Sequence, residues 1–311
     1  MRRYRSDMDE PDESLNELNE SVEQIGVVDI AGEVRAFSEN GWPTGYVYGA
    51  TRYADVILRE SFPSRFRDIV AALERFAPTL TELRTSGGGR TVFVKRFDDS
   101  LQAMVEEGVS IWGKQNITIE KAVGLDGTTV RTSKARGHEI DMFGKGTSEY
   151  PLPGIAVEME WNNKDPFFDR DLINFQALHR EGAIAVGVIV TRGPSLQALI
   201  GPTVRSRDAG YKYGQSSTHW NKLLPKVNLG GGGECPLLLI GIEPGRIVGI
   251  DLAIKVKEGL DELYALRETW REHWETYKEA QTELSRRRIA VMEAMPPLAD
   301  ETPVGEDEVQ I

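Results

Sequence analysis

The sequence predicts an α/β fold in which a central mixed β-sheet is flanked by helices. Two apolar segments, 155–161 (IAVEMEW) and 183–190 (AIAVGVIV), have the length and composition of buried strands. The segment between them, 165–182, repeats its apolar residues with a helical period. A strand, a helix and a second strand in this order belong to one sheet covered by helices. With 311 residues and 40% hydrophobic composition, the chain can bury a sizeable core.

The segments before the first of these strands predict helices and a hairpin. Segment 61–85 has a helical repeat that Pro78 interrupts. Segment 98–115 begins with two acids and Ser100, which favour a helix start, and its helix should end near Gly108. Segment 116–132 alternates on both sides of an Asp-Gly pair, which is typical of a β-hairpin.

The central segments have clear boundaries. Segment 138–143 (HEIDMF) predicts a short strand that precedes strand 155–161. In the helix at 165–182, Asp165 suits the N-cap, Pro166 suits the first turn and Gly182 ends the helix.

Further strands and a long helix are expected in the C-terminal third. Segment 235–242 (CPLLLIGI) predicts a buried strand, and segment 245–254 (GRIVGIDLAI) predicts another. Residues 257–294 contain neither Gly nor Pro after Gly259, so they predict one long amphipathic helix. Such a helix either packs on its own domain or contacts a second subunit, and the residues leave both open.

Composition predicts a single domain between two acidic tails. Residues 1–24 and 297–311 are expected to be disordered, and residues 25–296 to form one domain. The net charge is −12, but residues 1–22 carry −4 and residues 297–311 carry −5, which leaves −3 for residues 23–296. No apolar run approaches the roughly 20 residues of a membrane span, so we expect a cytoplasmic protein without membrane contact. The single cysteine excludes an internal disulfide.

Three acids predict a site for a hard metal ion. Glu158 and Glu160 project from the same face of their strand, roughly 7 Å apart by strand rise. If strand 138–143 pairs with this strand, Asp141 arrives beside them. Carboxylates this close raise one another's pKa unless a cation compensates, and Mg²⁺ prefers such oxygen ligands. The alternative is that the acids form an ordinary solvent-exposed strand face.

These residues resemble a known superfamily of nucleases. Asp141, the sixteen-residue gap, Glu158-Met-Glu160 and the helix and apolar strand that follow are similar to the PD-(D/E)xK nucleases, with a restriction-endonuclease-like core. Within that superfamily the chain resembles the BamHI/BglII group of type II restriction endonucleases over roughly residues 98–245. Most superfamily members have Lys where Glu160 stands, and the BamHI-like branch has Glu.

The resemblance implies a hydrolase that cuts double-stranded DNA at a specific sequence with Mg²⁺ and leaves 5′-phosphate ends. Asp141 and Glu158 would be metal ligands, with the Met159 carbonyl as a further ligand, and Glu160 would be a general base or would organise the attacking water. The branch also uses an acid from an upstream helix, for which Glu106 and Glu107 are the candidates. Lys164 is an alternative source of the missing lysine.

A basic, polar segment is the predicted DNA contact. Positive groups can hold phosphates, while amide and hydroxyl groups can bind base edges. The candidate DNA-binding residues are Lys212, Tyr213, Gln215, Ser217, Thr218, His219 and Lys222. The resemblance further implies a homodimer acting on a palindrome, and it leaves open a functional pairing with a DNA methyltransferase. Two other functions stay open: a repair or junction-resolving nuclease of the same superfamily, and a non-enzymatic DNA-binding protein.

Overall fold

The computed structural model describes residues 34–37, 41–85, 91–134, 138–205 and 211–295. Both predicted acidic tails, residues 1–24 and 297–311, therefore lie outside the described residues. None of the described helices is both long and apolar enough to cross a membrane.

The predicted mixed sheet is confirmed. Within the described residues its seven strands are Arg35–Phe37 (β1), Tyr46–Ala50 (β2), Trp112–Ile117 (β5), His138–Gly144 (β8), Gly154–Glu160 (β9), Ile184–Arg192 (β10) and Leu237–Ile242 (β11). They lie in the order β1-β2-β11-β10-β9-β8-β5. The three central strands β9, β10 and β11 are parallel, and the outer strands pair antiparallel.

Two small ribbons accompany the sheet. Val105–Glu106 (β3) pairs with Val109–Ser110 (β4), and Glu120–Leu125 (β6) pairs with Thr128–Lys134 (β7). The β6–β7 ribbon is the predicted hairpin, and it turns at Asp126 and Gly127, which both have positive φ as such a turn requires. All of its strand residues are exposed.

Helices cover both faces of the sheet, and each face has its own apolar cluster. The larger cluster contains the Ile155, Val157 and Met159 side of β9, whereas the smaller contains the Ala156 side. The helices are Ala54–Ser61 (α1), Pro63–Arg75 (α2), Leu80–Arg84 (α3), Val92–Gln102 (α4), Pro166–Arg180 (α5), Pro194–Thr203 (α6), Trp220–Asn228 (α7), Asp251–Glu268 (α8), Trp270–His273 (α9) and Tyr277–Glu293 (α10).

Helix α5 joins the site strand to its neighbour. Its Pro166 lies in the first turn, and its apolar stripe packs in the smaller cluster. The connection from β9 through α5 to β10 confirms the predicted strand-helix-strand unit. This unit places the first half of α5 over the carboxyl end of β9.

Three predicted elements differ from those in the structure. The helix expected to start at residues 98–100 and to end near Gly108 begins at Val92 and ends at Gln102, and the β3–β4 ribbon follows it. Segment 245–254 is not a strand: it forms a 3₁₀ turn at Pro244–Arg246 and then the start of α8. The expected single helix over 257–294 is divided, because Thr276 and Glu279 form a capping box that begins α10, which packs back on α8.

Candidate active site

Strand β9 carries two buried glutamates on one face. Glu158 and Glu160 are each only 3% exposed, although strand acids are usually found in solvent. The alternating residues Ile155, Val157 and Met159 pack into the larger apolar cluster on the opposite face. The glutamates therefore belong to the face that helix α5 covers, and they are not a solvent-exposed strand face.

Asp141 lies opposite Glu158. The last pair of the β8–β9 ladder is Met142 with Val157, so the antiparallel register places Asp141 next to Glu158 immediately beyond that pair. The backbone amide of Asp141 donates a hydrogen bond to Oε1 of Glu158 over 3.2 Å. The structure thus brings together the two acids that the sequence predicted as metal ligands.

Helix α5 adds two charged residues that the sequence analysis did not identify. Asp171 is 1% exposed, and Arg170 is half-exposed. Nη2 of Arg170 lies 3.2 Å from Oε1 of Glu160 and 2.7 Å from Oδ1 of Asp171. Nδ2 of Asn163 also donates to Oε2 of Glu160 over 2.6 Å. Glu160 is therefore held from two sides by donors that follow it in the chain.

A sequence signal for Asp171 exists in the spacing of the α5 stripe. Asp171 stands three residues after Phe168 and four before Phe175, and both phenylalanines are fully buried. Residues three and four apart share one side of a helix, so the spacing places this aspartate on the buried side. Asp171 also belongs to the charged run Asp169-Arg170-Asp171, which is typical of a solvent-exposed helix turn, so the spacing alone did not identify it.

The acids raise one another's pKa. Burial, followed by the charges of Asp171 and Asp141, raises the pKa of Glu158 well above its usual value. Burial also raises the pKa of Glu160, and hydrogen bonding by Asn163 and the charge of Arg170 oppose that shift. Burial and the charge of Glu160 raise the pKa of Asp171 to about 8. The site therefore favours either bound protons or an additional cation.

The chemistry of these side chains fits a hard divalent cation. Carboxylate oxygens are the ligands that Mg²⁺ prefers, and Oδ2 of Asp171 is buried without a hydrogen-bond partner. Met159, whose carbonyl is the predicted further ligand, lies in β9 between the two glutamates. In the part of the chain that the structure describes, no three His, Cys, Asp or Glu side chains already have the arrangement of a metal-ligand shell. The acids are therefore assembled but not arranged around an ion.

Glu106 and Glu107 are not on a helix, and their predicted helical position is wrong. Glu106 belongs to β3 and forms an ion pair with Arg65, and Glu107 follows it with a φ of 52°. The Glu107 side chain accepts a hydrogen bond from Ser148. Both acids thus have partners other than the β8–β9 acids.

The cation next to Glu160 is Arg170 and not Lys164. Lys164 is exposed, and it takes part in an isolated β-bridge with Ser217. The guanidinium of Arg170 supplies positive charge beside Glu160.

The predicted DNA segment lies directly beside the acids. The Thr218 amide donates to the Asn163 carbonyl over 2.9 Å, and the Asp165 amide donates to the Ser216 carbonyl over 3.2 Å. These bonds join residues 216–218 to residues 163–165, which follow Glu160 at the end of β9. Buried Arg192 holds the same segment by donating to the Thr218 carbonyl and to Oγ of Ser217.

The seven DNA-binding candidates differ in their surroundings. Tyr213, Thr218 and His219 are buried. Lys212 donates to the carbonyls of Leu83 and Thr85, so its ammonium holds the protein together. Gln215 is exposed, and Ser217 and Lys222 are half-buried, as Lys212 also is.

The mixed sheet and the buried acids at the carboxyl end of β9, one of its three central strands, define a restriction-endonuclease-like α/β protein. The family model described as "Restriction endonuclease BglII/BglIII" matches residues 46–242, so the chain belongs to this family and is a type II site-specific deoxyribonuclease. No curated protein matches the chain. The matched region starts at β2, ends at β11 and includes every acid of the site.

Proposed function

We propose that this restriction endonuclease hydrolyses phosphodiester bonds of double-stranded DNA with Mg²⁺, and that Asp141, Glu158 and Glu160 form its active site. The observation that carries this proposal is the placement of Asp141 against Glu158, with Glu160 on the same buried face. Several buried carboxylates in one place are costly without a cation, and a phosphate substrate together with a metal ion accounts for them.

In the proposed mechanism Asp141 and Glu158 hold the cation, with the Met159 carbonyl as a further ligand. A bound Mg²⁺ would neutralise phosphate charge and lower the pKa of the attacking water. Glu160 would accept the proton of that water, and its raised pKa makes its ionised form a stronger base. Asn163 and Arg170 would orient Glu160, because both donate to its carboxylate. The products would carry a 5′-phosphate and a 3′-hydroxyl.

We propose that the segment bonded to residues 163–165 contacts the DNA. Gln215, Ser217 and Lys222 would contact phosphates or base edges, whereas Tyr213, Thr218 and His219 would support the segment from inside. A homodimer would place two such segments on a palindrome, since the symmetry of the protein would mirror that of the DNA. A cytoplasmic location and a partner methyltransferase that protects host DNA would complete this function.

Digestion of a genomic DNA of known sequence tests the proposal. We expect discrete fragments with Mg²⁺, none after chelation, and none from the Asp141→Asn variant. Glu139→Gln is the matched control, because Glu139 is an exposed acid on the same strand that pairs with Lys114. This control should cleave like the wild type. If Asp141→Asn cleaves at the wild-type rate, the assigned active site is wrong.

The fragment ends test the chemistry. Ends that a DNA ligase joins without prior phosphorylation carry a 5′-phosphate and a 3′-hydroxyl, and sequencing across the joints gives the cut position. Ends that need a kinase before they can be ligated would contradict the proposed products. Cutting confined to DNA junctions would contradict recognition of a sequence.

A further inference from the structure

Asp171 is the site residue whose burial the proposed mechanism does not explain. Its side chain is 1% exposed, and its carboxyl lies within hydrogen-bonding range of the Glu160 carboxyl. Arg170 donates to Oδ1, but when the neighbouring carboxyls are ionised no donor among the described residues reaches the buried atom Oδ2. A carboxylate oxygen that is removed from water without a partner destabilises the folded protein. Burial of the Asp171 carboxylate therefore lowers the stability of the folded protein by an amount that the observed contacts do not offset.

A purely structural role for Asp171 does not account for this arrangement. An acid of this helix can pair with a cation without being buried, as half-exposed Asp169 does with Lys226 of α7. Asp171 instead lies beside Glu160, and its charge, like that of Asp141, raises the pKa of Glu158. An uncharged side chain on the same side of α5 would avoid this repulsion.

We propose that Asp171 is a further acid of the divalent-cation site, supplied by helix α5. This inference rests on the proposed function. Asp141, Glu158, Glu160 and Asp171 would carry four negative charges against the single guanidinium of Arg170. A divalent cation offsets most of this excess, and the free Oδ2 atom gives it one more oxygen ligand.

Arg170 accounts for the arrangement of the acids without a cation. Its guanidinium lies between Glu160 and Asp171, and its half-exposed side chain extends over the ring of Phe167 at 4.7 Å. The arginine thus offsets part of the negative charge of Glu160 and Asp171, and it bonds only Oδ1 of Asp171. Oδ2 of Asp171 would be available to the ion while Arg170 continues to orient Glu160.

Calorimetric titration of the full chain with CaCl₂ and with MnCl₂ tests the inference, together with the melting temperature of the metal-free protein. For Asp171→Asn we expect the Kd of the cation to rise by about 10-fold or more. The metal-free melting temperature should stay the same or rise, because the substitution removes a buried repulsion. Asp169→Asn, which removes the same charge two residues earlier on the helix, should change neither the Kd nor that melting temperature appreciably.

The outcomes separate this inference from the proposed function. An Asp171→Asn variant that melts lower but keeps the wild-type Kd shows a structural role and overturns the inference. Asp171→Ala provides a second test of the Kd if the Asn variant does not fold. If the wild type binds cations and Asp141→Asn does not, while Asp171→Asn binds normally, only the inference about Asp171 fails. If the wild type binds neither cation, both proposals fail.

Discussion

The backbone amide of Asp141 donates a hydrogen bond of 3.2 Å to Oε1 of Glu158, at the point where strands β8 and β9 stop pairing. The Glu158 side chain thus occupies the place of a ladder partner, and it fixes the distance between the two strands. Any acceptor at this atom preserves the contact, whereas only a carboxylate can supply charge. Structure and proposed chemistry can therefore be separated by a single substitution.

Glu158→Gln should stabilise the metal-free protein and abolish cleavage. Glutamine keeps an oxygen acceptor for the Asp141 amide but removes a buried charge. Because folding raises the pKa of Glu158, its favourable contribution is present at low pH and is lost as the pH rises through the folded value. The variant's advantage in melting temperature should therefore be larger at pH 8.5 than at pH 5. A variant that melts below the wild type at both pH values would contradict this account.

The strand-helix-strand unit was predictable because the sequence patterns that indicate its elements are local. Strand β9, helix α5 and strand β10 each have their own period and boundary residues, and each forms where expected. The long C-terminal helix was not predictable in the same way, because its apolar pattern continues through the break at residues 274–276. The break depends on the reciprocal hydrogen bonds of Thr276 and Glu279, a four-residue signal that the longer pattern obscured.

The acids of β8 and β9 were predictable because strand alternation and one pairing register bring them together. Asp171 and Arg170 were not identified, because their adjacent charges are typical of a solvent-exposed helix turn. The burial of Asp171 depends on how α5 lies on the sheet, a tertiary property. The sequence also could not predict which residues of the DNA segment are accessible to solvent, because Tyr213, Thr218 and His219 are buried by contacts with distant parts of the chain.

Thr276→Ala should destabilise the protein by about 1 kcal/mol, because it removes the N-cap of α10. Thr282→Ala is the matched control, since Thr282 is exposed inside the same helix and alanine favours helices. The free energy of unfolding from urea titrations measures both effects. In a continuous helix, alanine would be favourable at both positions, so a stabilising Thr276→Ala substitution would contradict the observed break.

Arg192→Leu should destabilise the protein by at least about 2 kcal/mol, because it leaves the Thr218 carbonyl and Gln197 without their charged donor inside the protein. Loosening of the segment that Arg192 holds should also raise KM for DNA more than it lowers kcat. Unfolding titrations and steady-state cleavage measure the two effects. An unchanged KM would show that this segment does not position the DNA.

His219 should make the protein more sensitive to acid. Burial, followed by the charge of Arg192, lowers the pKa of His219, and Nδ1 of the ring has no hydrogen-bond partner among the described residues. The unfolded chain therefore binds a proton near pH 6.5 that the folded protein resists, so stability is retained above that pH and lost below it. His219→Gln should lose less stability than the wild type between pH 7.5 and 5.5. His273→Gln, at an exposed position, should follow the wild type.

Substitution of Lys212 should change the stability of the protein, whereas substitution of Lys222 should change its DNA binding, although both residues belong to the predicted DNA segment. The ammonium of Lys212 donates to two backbone carbonyls, so Lys212→Met removes both hydrogen bonds and should lower the melting temperature. Lys222 is half-exposed in the first turn of α7, beside the exposed part of the segment. If its ammonium contacts a phosphate, Lys222→Met should leave the melting temperature unchanged and reduce the slope of log K against log salt by about 1. Binding of labelled duplex DNA in CaCl₂ at several salt concentrations measures that slope. A reduced slope for Lys212→Met, with an unchanged one for Lys222→Met, would place the phosphate contact on the buried side of the segment and contradict the proposed DNA interface.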